Sequence, residues 1–382
     1  MYTTGTMRIK HPSETIASLA LYTSELGISR CQNVTGFDRI GIPVYCAITP
    51  NNPIFQAAWG KGCTEHGAQA SALMAAVERS FLEEPHPHEQ RVSQLNLKNS
   101  GHNFLSGKDL PTYKHGTYNN ESRVLAWVPM YDFLQHTTCW VPASALYYTE
   151  PMLTAFTANG LASGNSSEEA MMHGLFEVFE RHAISTMFVD GKLRLKESGG
   201  KRILLSGGSA KIITEILEKL RAAKIELLLF LIPCSVSPIK VYWAVLHDPY
   251  TQYAQTSISM GYGAHSSPEI AMLQAITEAA QNRVATLHGC REDKCQLITS
   301  PPSQHTLERT IGYFKSIPET IALGDIPTHR PLSITNELAH LFNKIREAGY
   351  RSVLSIEIPH SVPSVSIRKT IVPATNLTST LY

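Results

Sequence analysis

Three segments of the chain place small and apolar residues at helical spacing, each directly after a glycine-containing stretch. Side chains three or four positions apart lie on one face of a helix, and these segments repeat that interval over about five turns. The pattern predicts helices over Glu65–Glu84, Glu168–Met187 and Pro268–Leu287.

The residues before these segments carry helix start signals. Ser166 and Glu169 are spaced as a capping box, and Ser267 precedes Pro268, a residue favoured at the first helical position. The preceding glycines predict loops at Gly60–Thr64, Gly164–Ser167 and Gly261–His265.

The three segments align with one another. When Glu78, Glu180 and Gln281 are matched, small residues fall in register at Ala68, Ala170 and Ala271 and one turn later at Ala72, Gly174 and Ala275. The period of roughly 100 residues predicts one supersecondary unit used repeatedly. Small residues in register would let each helix approach another helix or a sheet closely.

Stretches rich in β-branched or aromatic residues lie between the helices and predict strands, at Gly41–Thr49, Val124–Met130, Leu227–Pro233, Val241–Leu246 and Ser352–Ile358. The sequence therefore predicts a mixed α/β (α+β) fold with internally repeated helix-on-sheet units. Residues 85–120 are rich in His, Asn, Ser, Gly and Pro without periodicity, which predicts a surface insertion.

Composition excludes several classes of protein. A 43% hydrophobic and 17% charged chain of 382 residues is globular, and a net charge of +1 gives no global field for nucleic acid or a membrane surface. The N-terminus lacks a signal-peptide pattern, and the longest mostly apolar run, Ile225–Pro233, is too short to span a bilayer. The seven cysteines include no C-x-x-C pair. We therefore expect a cytoplasmic protein with reduced thiols and no disulfide framework or zinc ribbon.

The second predicted helix carries a polar stripe. Glu169, His173, Glu177 and Arg181 recur every fourth residue and share one face, with Glu180 beside them. The other positions are mostly apolar, whereas a surface helix carries polar residues over most of its outward arc. The stripe therefore predicts one wall of a buried or half-buried site.

Several buried carboxylates are costly unless cations accompany them, and Mg²⁺ bridges carboxylates to nucleotide phosphates. The first helix offers Glu78 and Arg79, and the third offers Glu278, Gln281 and Arg283 at matching positions. Such a set can hold metal and triphosphate together, with arginines balancing phosphate oxygens. The alternative is a set of solvated or mutually salt-bridged helix faces, which the pattern alone leaves open.

Common nucleotide-binding and di-metal motifs do not occur. The chain has no G-x-x-x-x-G-K-[ST] loop and no G-x-G-x-x-G after a strand. Lys61 between Gly60 and Gly62 can still place an ammonium and backbone N–H groups near phosphate. A ferritin-like site needs Glu-x-x-His pairs on its helices, whereas His173 follows Glu169 by four residues, so we expect His173 to line the site or form a hydrogen bond.

Three regions resemble the signature regions of YcaO-domain proteins, and the likeness extends more loosely from about Met7 to Pro373. The regions are Gly60–Arg79, Asn159–Arg181 and Gly263–Arg283. The resemblance implies a single YcaO-like domain over residues 1–382. It also implies ATP held through Mg²⁺ and phosphorylation of a peptide backbone carbonyl oxygen after a nucleophile has added to the carbon. A substrate Cys, Ser or Thr side chain then yields an azoline ring, and external sulfide yields a thioamide.

The resemblance also assigns site residues. It implies Mg²⁺ ligands at Glu78, Glu177 and Glu180. The residues expected at the nucleotide are Arg8, Thr15, Lys61, Ser71, Asn165, Glu169, His173, Arg181, Glu278, Gln281 and Arg283. We further expect a peptide or protein substrate and a separate partner protein for substrate recognition or sulfur supply. Whether the protein forms a homodimer is left open.

Two departures from the family pattern bear on activity. The family usually has a glutamate three residues before Glu78, where this chain has Ala75, so one metal-binding carboxylate is missing. The C-terminal segment Val372–Asn376 matches neither the proline-rich tail of azoline-forming members nor the ending of thioamide-associated relatives. The alternative function is therefore a degenerate, non-catalytic module that binds nucleotide or peptide.

Overall fold

The structure, a computed structural model, describes residues 1–52, 56–80, 86–106, 109–110, 121–147, 149, 156–206, 210–251, 254–289, 302–327 and 331–377. The predicted insertion at 85–120 lies partly outside these residues, as do Cys290 and Cys295. The remaining five cysteines are free thiols. No described helix is both long and apolar enough to cross a membrane.

The described helices and strands alternate along the chain, as a mixed fold requires. The helices are α1 (Pro12–Ala20), α2 (Glu65–Ser80), α3 (Gln94–Asn99), α4 (Ser167–Thr186), α5 (Lys211–Ala222), α6 (Ala254–Ser257), α7 (Pro268–His288), α8 (Gln304–Ser316) and α9 (Ile334–Glu347). The strands are β1 (Arg30–Asn33), β2 (Val44–Ile48), β3 (Ala57–Lys61), β4 (Gln90–Ser93), β5 (Val124–Asp132), β6 (Thr137–Pro142), β7 (Leu161–Gly164), β8 (Phe188–Val189), β9 (Lys192–Leu193), β10 (Lys201–Leu204), β11 (Glu226–Ile232), β12 (Lys240–His247), β13 (Ile258–His265), β14 (Glu319–Ala322), β15 (Leu354–Glu357) and β16 (Ser366–Ile371).

These elements confirm the predicted fold class. The three long helices lie where the periodicity predicts them, although residues past Ser80 in the first lie outside the described part of the chain. The five predicted strands appear as β2, β5, β11, β12 and β15, with ends shifted by a few residues. The chain divides into two compact units, each of which is described by itself. That the whole chain forms one domain stays a prediction.

Unit 1 comprises Met1–Ala76, Lys192–Cys234 and Ile239–Pro331. Its five-stranded sheet has the order β13-β12-β11-β10-β14 and is antiparallel except where β10 meets β14. Side chains of β11 and β12 alternate between two buried faces, which explains their nearly continuous apolar sequences. Leu229 and Tyr242 join a core with α5 and α7, whereas Phe230 and Trp243 pack against Phe314 of α8.

Unit 1 also contains a second, smaller sheet. The order is β1-β2-β3, all antiparallel, and its buried side chains pack against the end of α7. Trp59 of β3 and Val284 of α7 belong to this second core. The helix α7 therefore contacts both sheets of the unit.

Unit 2 comprises Val77–Gly191, Ser235–Pro238 and Leu332–Tyr382. Its sheet has the order β4-β5-β15-β16-β7, and β6 pairs with β5. The helix α4 packs on β7 and β16, and α9 packs on α4. As a result, the polar residues of α4 lie next to strands from opposite ends of the unit's sequence.

One sequence prediction about the helix starts is wrong. Four of the five glycines expected in loops belong to strands: Gly60 to β3, Gly164 to β7, and Gly261 with Gly263 to β13, whereas Gly62 follows the end of β3 as predicted. The physical reason is close approach of strand and helix backbones, which a Cβ atom would prevent. A Cβ on Gly60 would overlap the backbone of Ala72, and the other three glycines meet the helix that follows them in the same way.

Candidate functional site

Helix α4 presents two glutamates and an arginine together in unit 2. The Nε atom of Arg181 lies 3.6 Å from Oε1 of Glu180 and 4.0 Å from Oε1 of Glu177. Positions three and four apart share a helix face, so α4 fixes this grouping by its own geometry. The cap at Ser166, whose Oγ accepts the N–H of Glu169 at 3.2 Å, fixes where the helix begins. The predicted capping box is therefore present on its serine side.

Glu78 reaches the same group of residues from the end of α2. Its Oε1 atom accepts the backbone N–H of Ser163 at 2.8 Å and the Ser163 hydroxyl at 2.6 Å. Ser163 is buried within β7. Two hydrogen bonds from one strand residue fix the carboxylate in one orientation.

Several neighbouring charges shift the pKa of Glu177. Its pKa is raised to about 7, chiefly by burial and in smaller part by the nearby charge of Glu78. Arg181, Lys369 and the N–H of Gly160 act in the opposite direction. Two carboxylates that disfavour each other's charge are the arrangement that a divalent cation stabilises.

Lys369 of β16 is the buried cation of this group. The residue is 1% exposed, and its Nζ atom donates to the carbonyl oxygen of Thr157 at 2.5 Å. Burial lowers its pKa to about 7, while the charge of Glu177 acts to raise it. The ammonium and the carboxylate therefore support each other's charged forms in a desolvated setting.

Asn165 and Glu169 form a separate pair at the start of α4. The Oε1 atom of Glu169 accepts both the backbone N–H and the side-chain Nδ2–H of Asn165, each at 3.0 Å. Glu169 is 1% exposed, so this buried carboxylate is satisfied by its neighbours. His173 is half-buried one turn further along the helix.

Other predicted nucleotide residues belong to unit 1. Lys61 of β3 forms an ion pair with Oε2 of Glu278, whose Oε1 accepts the backbone N–H of Tyr262 at 3.2 Å. Gln281 is half-buried one turn after Glu278 on α7. The prediction that Lys61 and Glu278 contact nucleotide is not tested by this geometry, which shows that their charges neutralise each other.

Arg283 lies in a buried ion-pair network. Its Nε atom donates to Asp38 at 3.0 Å, its Nη2 to Asp248 at 2.8 Å, and its Nη1 to the carbonyl oxygen of Thr256. Arg39 adds a second ion pair to Asp248 at 2.8 Å. All three nitrogens of the Arg283 guanidinium thus have acceptors inside unit 1, and its predicted contact with nucleotide stays a prediction.

The remaining candidates are also placed in unit 1. Thr15 is buried on α1, Ser71 is half-buried on α2, and half-buried Arg8 pairs with Tyr2 through backbone hydrogen bonds. Their roles at the nucleotide stay predictions.

The donor set of unit 2 fits a magnesium ion. Glu78, Glu177 and Glu180 offer carboxylate oxygens, the ligand type that Mg²⁺ prefers. Within the described residues no three His, Cys, Asp or Glu side chains are already assembled as a metal cage. Mg²⁺ at nucleotide sites typically takes one or two protein carboxylates and completes its shell with phosphates and waters, so a closed cage is not required.

Sequence reasoning missed three residues next to this group. Ser163 and Asn159 lie within a quoted motif, but no role was predicted for either. Lys369 lies next to Arg368 between Ile367 and Ile371 in a segment that was not predicted as a strand. Two adjacent basic residues flanked by β-branched residues were the available signal, because a buried lysine usually has a specific partner.

The chain is similar in sequence to one known family and to an archaeal protein. The model of one family, described as YcaO cyclodehydratase, ATP- and Mg²⁺-binding, matches residues 59–376. An uncharacterised protein of Methanothermobacter thermautotrophicus is 30% identical over 372 residues, which cover 95% of this chain and 93% of that protein.

Three solved structures share the fold. YcaO from Methanopyrus kandleri bound with AMPPCP and Mg²⁺ is 22% identical, with a TM-score of 0.78 over 98% of this chain and 94% of its own. A heterocyclase in complex with substrate and cofactor is 17% identical, with a TM-score of 0.78 over 97% of this chain and 53% of its own. The E. coli microcin synthetase McbBCD complex with pro-MccB17 bound is 14% identical, with a TM-score of 0.61 over 88% of this chain and 85% of the matched one.

Proposed function

Because the chain belongs to the YcaO family, we propose that it uses ATP and Mg²⁺ to activate a backbone amide of a peptide or protein. Membership confirms the resemblance seen in the three sequence regions, and ATP and Mg²⁺ are the cofactors of that family. The observation that carries the proposal is the acidic group of unit 2: Glu177 and Glu180 lie beside Arg181, and the charge of Glu78 acts on Glu177. A metal-nucleotide complex would neutralise it.

Each residue of the group has a role in this proposal. Glu78, Glu177 and Glu180 would hold Mg²⁺, and Arg181 would balance charge on phosphate oxygens. Ser163 would keep Glu78 oriented through its two hydrogen bonds. These groups are held on a helix and a strand, which suits catalysis that consists mainly of positioning and charge stabilisation.

Bound ATP would supply the phosphoryl group that turns an amide oxygen into a leaving group. A nucleophile that has already added to the carbonyl carbon then keeps its new bond, while the C–O bond breaks. A substrate Cys, Ser or Thr side chain would give an azoline, and external sulfide would give a thioamide. A heterocyclase solved in complex with its substrate shares the fold of this chain.

A separate partner protein belongs to the proposal. The structurally similar E. coli synthetase is the multi-protein complex McbBCD with pro-MccB17 bound. We infer that a partner delivers the peptide to this chain.

The second candidate function is binding without turnover. Ala75 occupies the position of a family carboxylate, and Glu278, which aligns with it in the repeat, is neutralised by Lys61. Both features lower the number of carboxylates that can hold metal.

The proposal is tested by following the backbone carbonyl oxygen of the substrate during the reaction. The chain is incubated with Mg²⁺, ATP and a panel of Cys-, Ser- and Thr-containing peptides whose backbone carbonyls carry heavy oxygen, with and without sulfide. We expect the label in inorganic phosphate, with loss of one water from the peptide or replacement of oxygen by sulfur. Mg²⁺-dependent nucleotide binding without label transfer, even with a partner protein added, would contradict turnover and favour the binding module.

A further inference from the structure

A cavity of unit 2 lies next to the acidic group but is lined by none of the residues predicted for metal or nucleotide. The cavity is partly open, and the empty space it encloses together with its open mouth is about 390 Å³. Leu110, Val178 and Ile371 contribute apolar walls, and Asn159 and Lys369 contribute polar groups. An apolar pocket with two convergent polar groups is the usual form of a binding site.

Asn159 brings an unsatisfied acceptor to this cavity. The residue is 7% exposed, and its Oδ1 atom has no hydrogen-bond donor within the described part of the chain. Leaving a buried acceptor unpaired costs about 1–3 kcal/mol, so such atoms are rare in folded proteins. A ligand that supplies an N–H or O–H would remove this cost.

Lys369 brings donors to the same cavity. Its ammonium has three N–H groups, and the carbonyl oxygen of Thr157 accepts one hydrogen bond from it. The residue is 1% exposed, so water does not solvate the ammonium from the surface. A ligand that supplies an acceptor would therefore gain a charge-assisted hydrogen bond.

The Asn159 acceptor and the Lys369 donors together favour one class of ligand. A backbone amide carries one N–H donor and one carbonyl acceptor, which match Asn159 Oδ1 and Lys369 Nζ. An anion would pair with Lys369 but would set its oxygens against the Asn159 acceptor. A neutral amide satisfies both groups, and the apolar walls suit the adjoining side chain.

The cavity is joined to the acidic group through the chain itself. Asn159 precedes Gly160, whose N–H is hydrogen-bonded to Glu177, and Val178 follows Glu177 on α4. Lys369 interacts electrostatically with Glu177. A peptide amide held in the cavity would thus lie beside the carboxylates assigned to Mg²⁺.

We propose that this cavity is a subsite for a backbone amide of the peptide substrate, with Asn159 accepting its N–H and Lys369 donating to its carbonyl oxygen. The inference rests on the proposed function, because it gives the substrate of that reaction a place in unit 2. Both residues are positioning groups for the peptide.

The test uses two small amide probes, and acetate as an anionic probe, on the full chain. N-acetylcysteine N-methylamide carries amide N–H groups, whereas N-acetylproline N,N-dimethylamide carries none. Binding is measured by saturation-transfer NMR, alone and with Mg²⁺ and AMPPCP present. We expect Asn159→Ala to weaken the first probe about fivefold, the effect of one hydrogen bond, and to leave the second unchanged. Lys369→Met should weaken both, because both offer carbonyl oxygens.

Controls separate this inference from the proposed function. Lys344→Met removes a half-buried lysine of the same unit that does not line the cavity, and should leave both probes unchanged. Asn159→Ala should keep the wild-type affinity for Mg²⁺ and AMPPCP, which also shows that it folds. Equal binding of the first probe to wild type and Asn159→Ala, or tighter binding of acetate than of either amide, would overturn the subsite. If the wild type binds Mg²⁺ and AMPPCP but does not bind the first probe, the subsite is overturned and the proposed function is unaffected. Failure to bind Mg²⁺ and AMPPCP would instead contradict the proposed function, and this inference with it.

Discussion

At the scale of single residues, Glu177 connects the parts of the candidate site. It neighbours Glu78, Glu180 and Arg181 in the acidic group, and it stabilises the charge of Lys369 in the adjoining cavity. Its pKa of about 7 follows from burial and from a like charge nearby. The side chain can therefore gain or lose a proton near neutral pH, unlike an exposed glutamate.

Metal binding should consequently depend on pH. Mg²⁺ needs the ionised carboxylate, so below pH of about 7 a proton competes for Glu177 and the affinity for Mg²⁺ with AMPPCP falls, by up to about tenfold per pH unit. The affinity should rise from about pH 6 to about pH 8 and then level off. Isothermal titration calorimetry across this range measures the effect.

Glu177→Gln supplies the matched comparison for that pH dependence. The nucleotide's own phosphates titrate in both proteins, so the difference between the two profiles isolates the side chain. We expect weaker binding and a flatter profile in Glu177→Gln. Parallel profiles would mean that Glu177 does not exchange its proton for the metal.

At the scale of elements, one strand–helix unit occurs three times. In each unit a glycine-containing strand precedes a long helix that packs onto it. The pairs are β3 with α2, β7 with α4, and β13 with α7. The sequence predicted the helices and the small residues in register, because both signals are local. It placed the glycines in loops, because their packing against the following helix is a tertiary contact that no local pattern reports.

The close packing predicts a large cost for Gly261→Ala. The new Cβ would overlap the backbone of Ala279 on α7, and backbone atoms cannot rotate away as a flexible side chain can. Overpacking of this kind costs about 1–3 kcal/mol or more of unfolding free energy. Chemical denaturation measures the change.

Gly312→Ala is the control for that substitution. Gly312 lies within α8, and a Cβ there meets nothing within 4 Å. Alanine should stabilise this helix by about 0.5–1 kcal/mol, since glycine is the poorer helix former. A Gly261→Ala protein as stable as wild type would contradict the close approach of β13 and α7.

At the scale of the whole molecule, the predicted site residues are divided between the two units. Glu78, Asn165, Glu169, His173, Glu177, Glu180 and Arg181 belong to unit 2, and the other seven candidates belong to unit 1. The polar stripe of α4 was predictable because helical spacing alone groups its members. Lys369 was not, because it reaches Glu177 through the pairing of β16 with β7, a contact between distant parts of the sequence.

Arg283 shows the opposite case, because the sequence identified this residue but not its partners. Its position in the repeat suggested a phosphate contact, since arginine so often binds phosphate. No local pattern indicates that Asp38 and Asp248, far away along the chain, supply buried acceptors for its guanidinium. A motif identifies a residue type at a position, whereas its partners depend on the tertiary fold.

The central claim is that carboxylates of unit 2 hold Mg²⁺ and thereby ATP. Calorimetric titration of Glu180→Gln with AMPPCP, with and without Mg²⁺, tests it most directly, because glutamine keeps the size of the side chain and removes only its charge. Glu347→Gln, an exposed substitution on α9, serves as the control. The account predicts that Glu180→Gln folds as wild type but loses Mg²⁺-dependent binding, while Glu347→Gln retains it. Wild-type affinity in Glu180→Gln would contradict the claim.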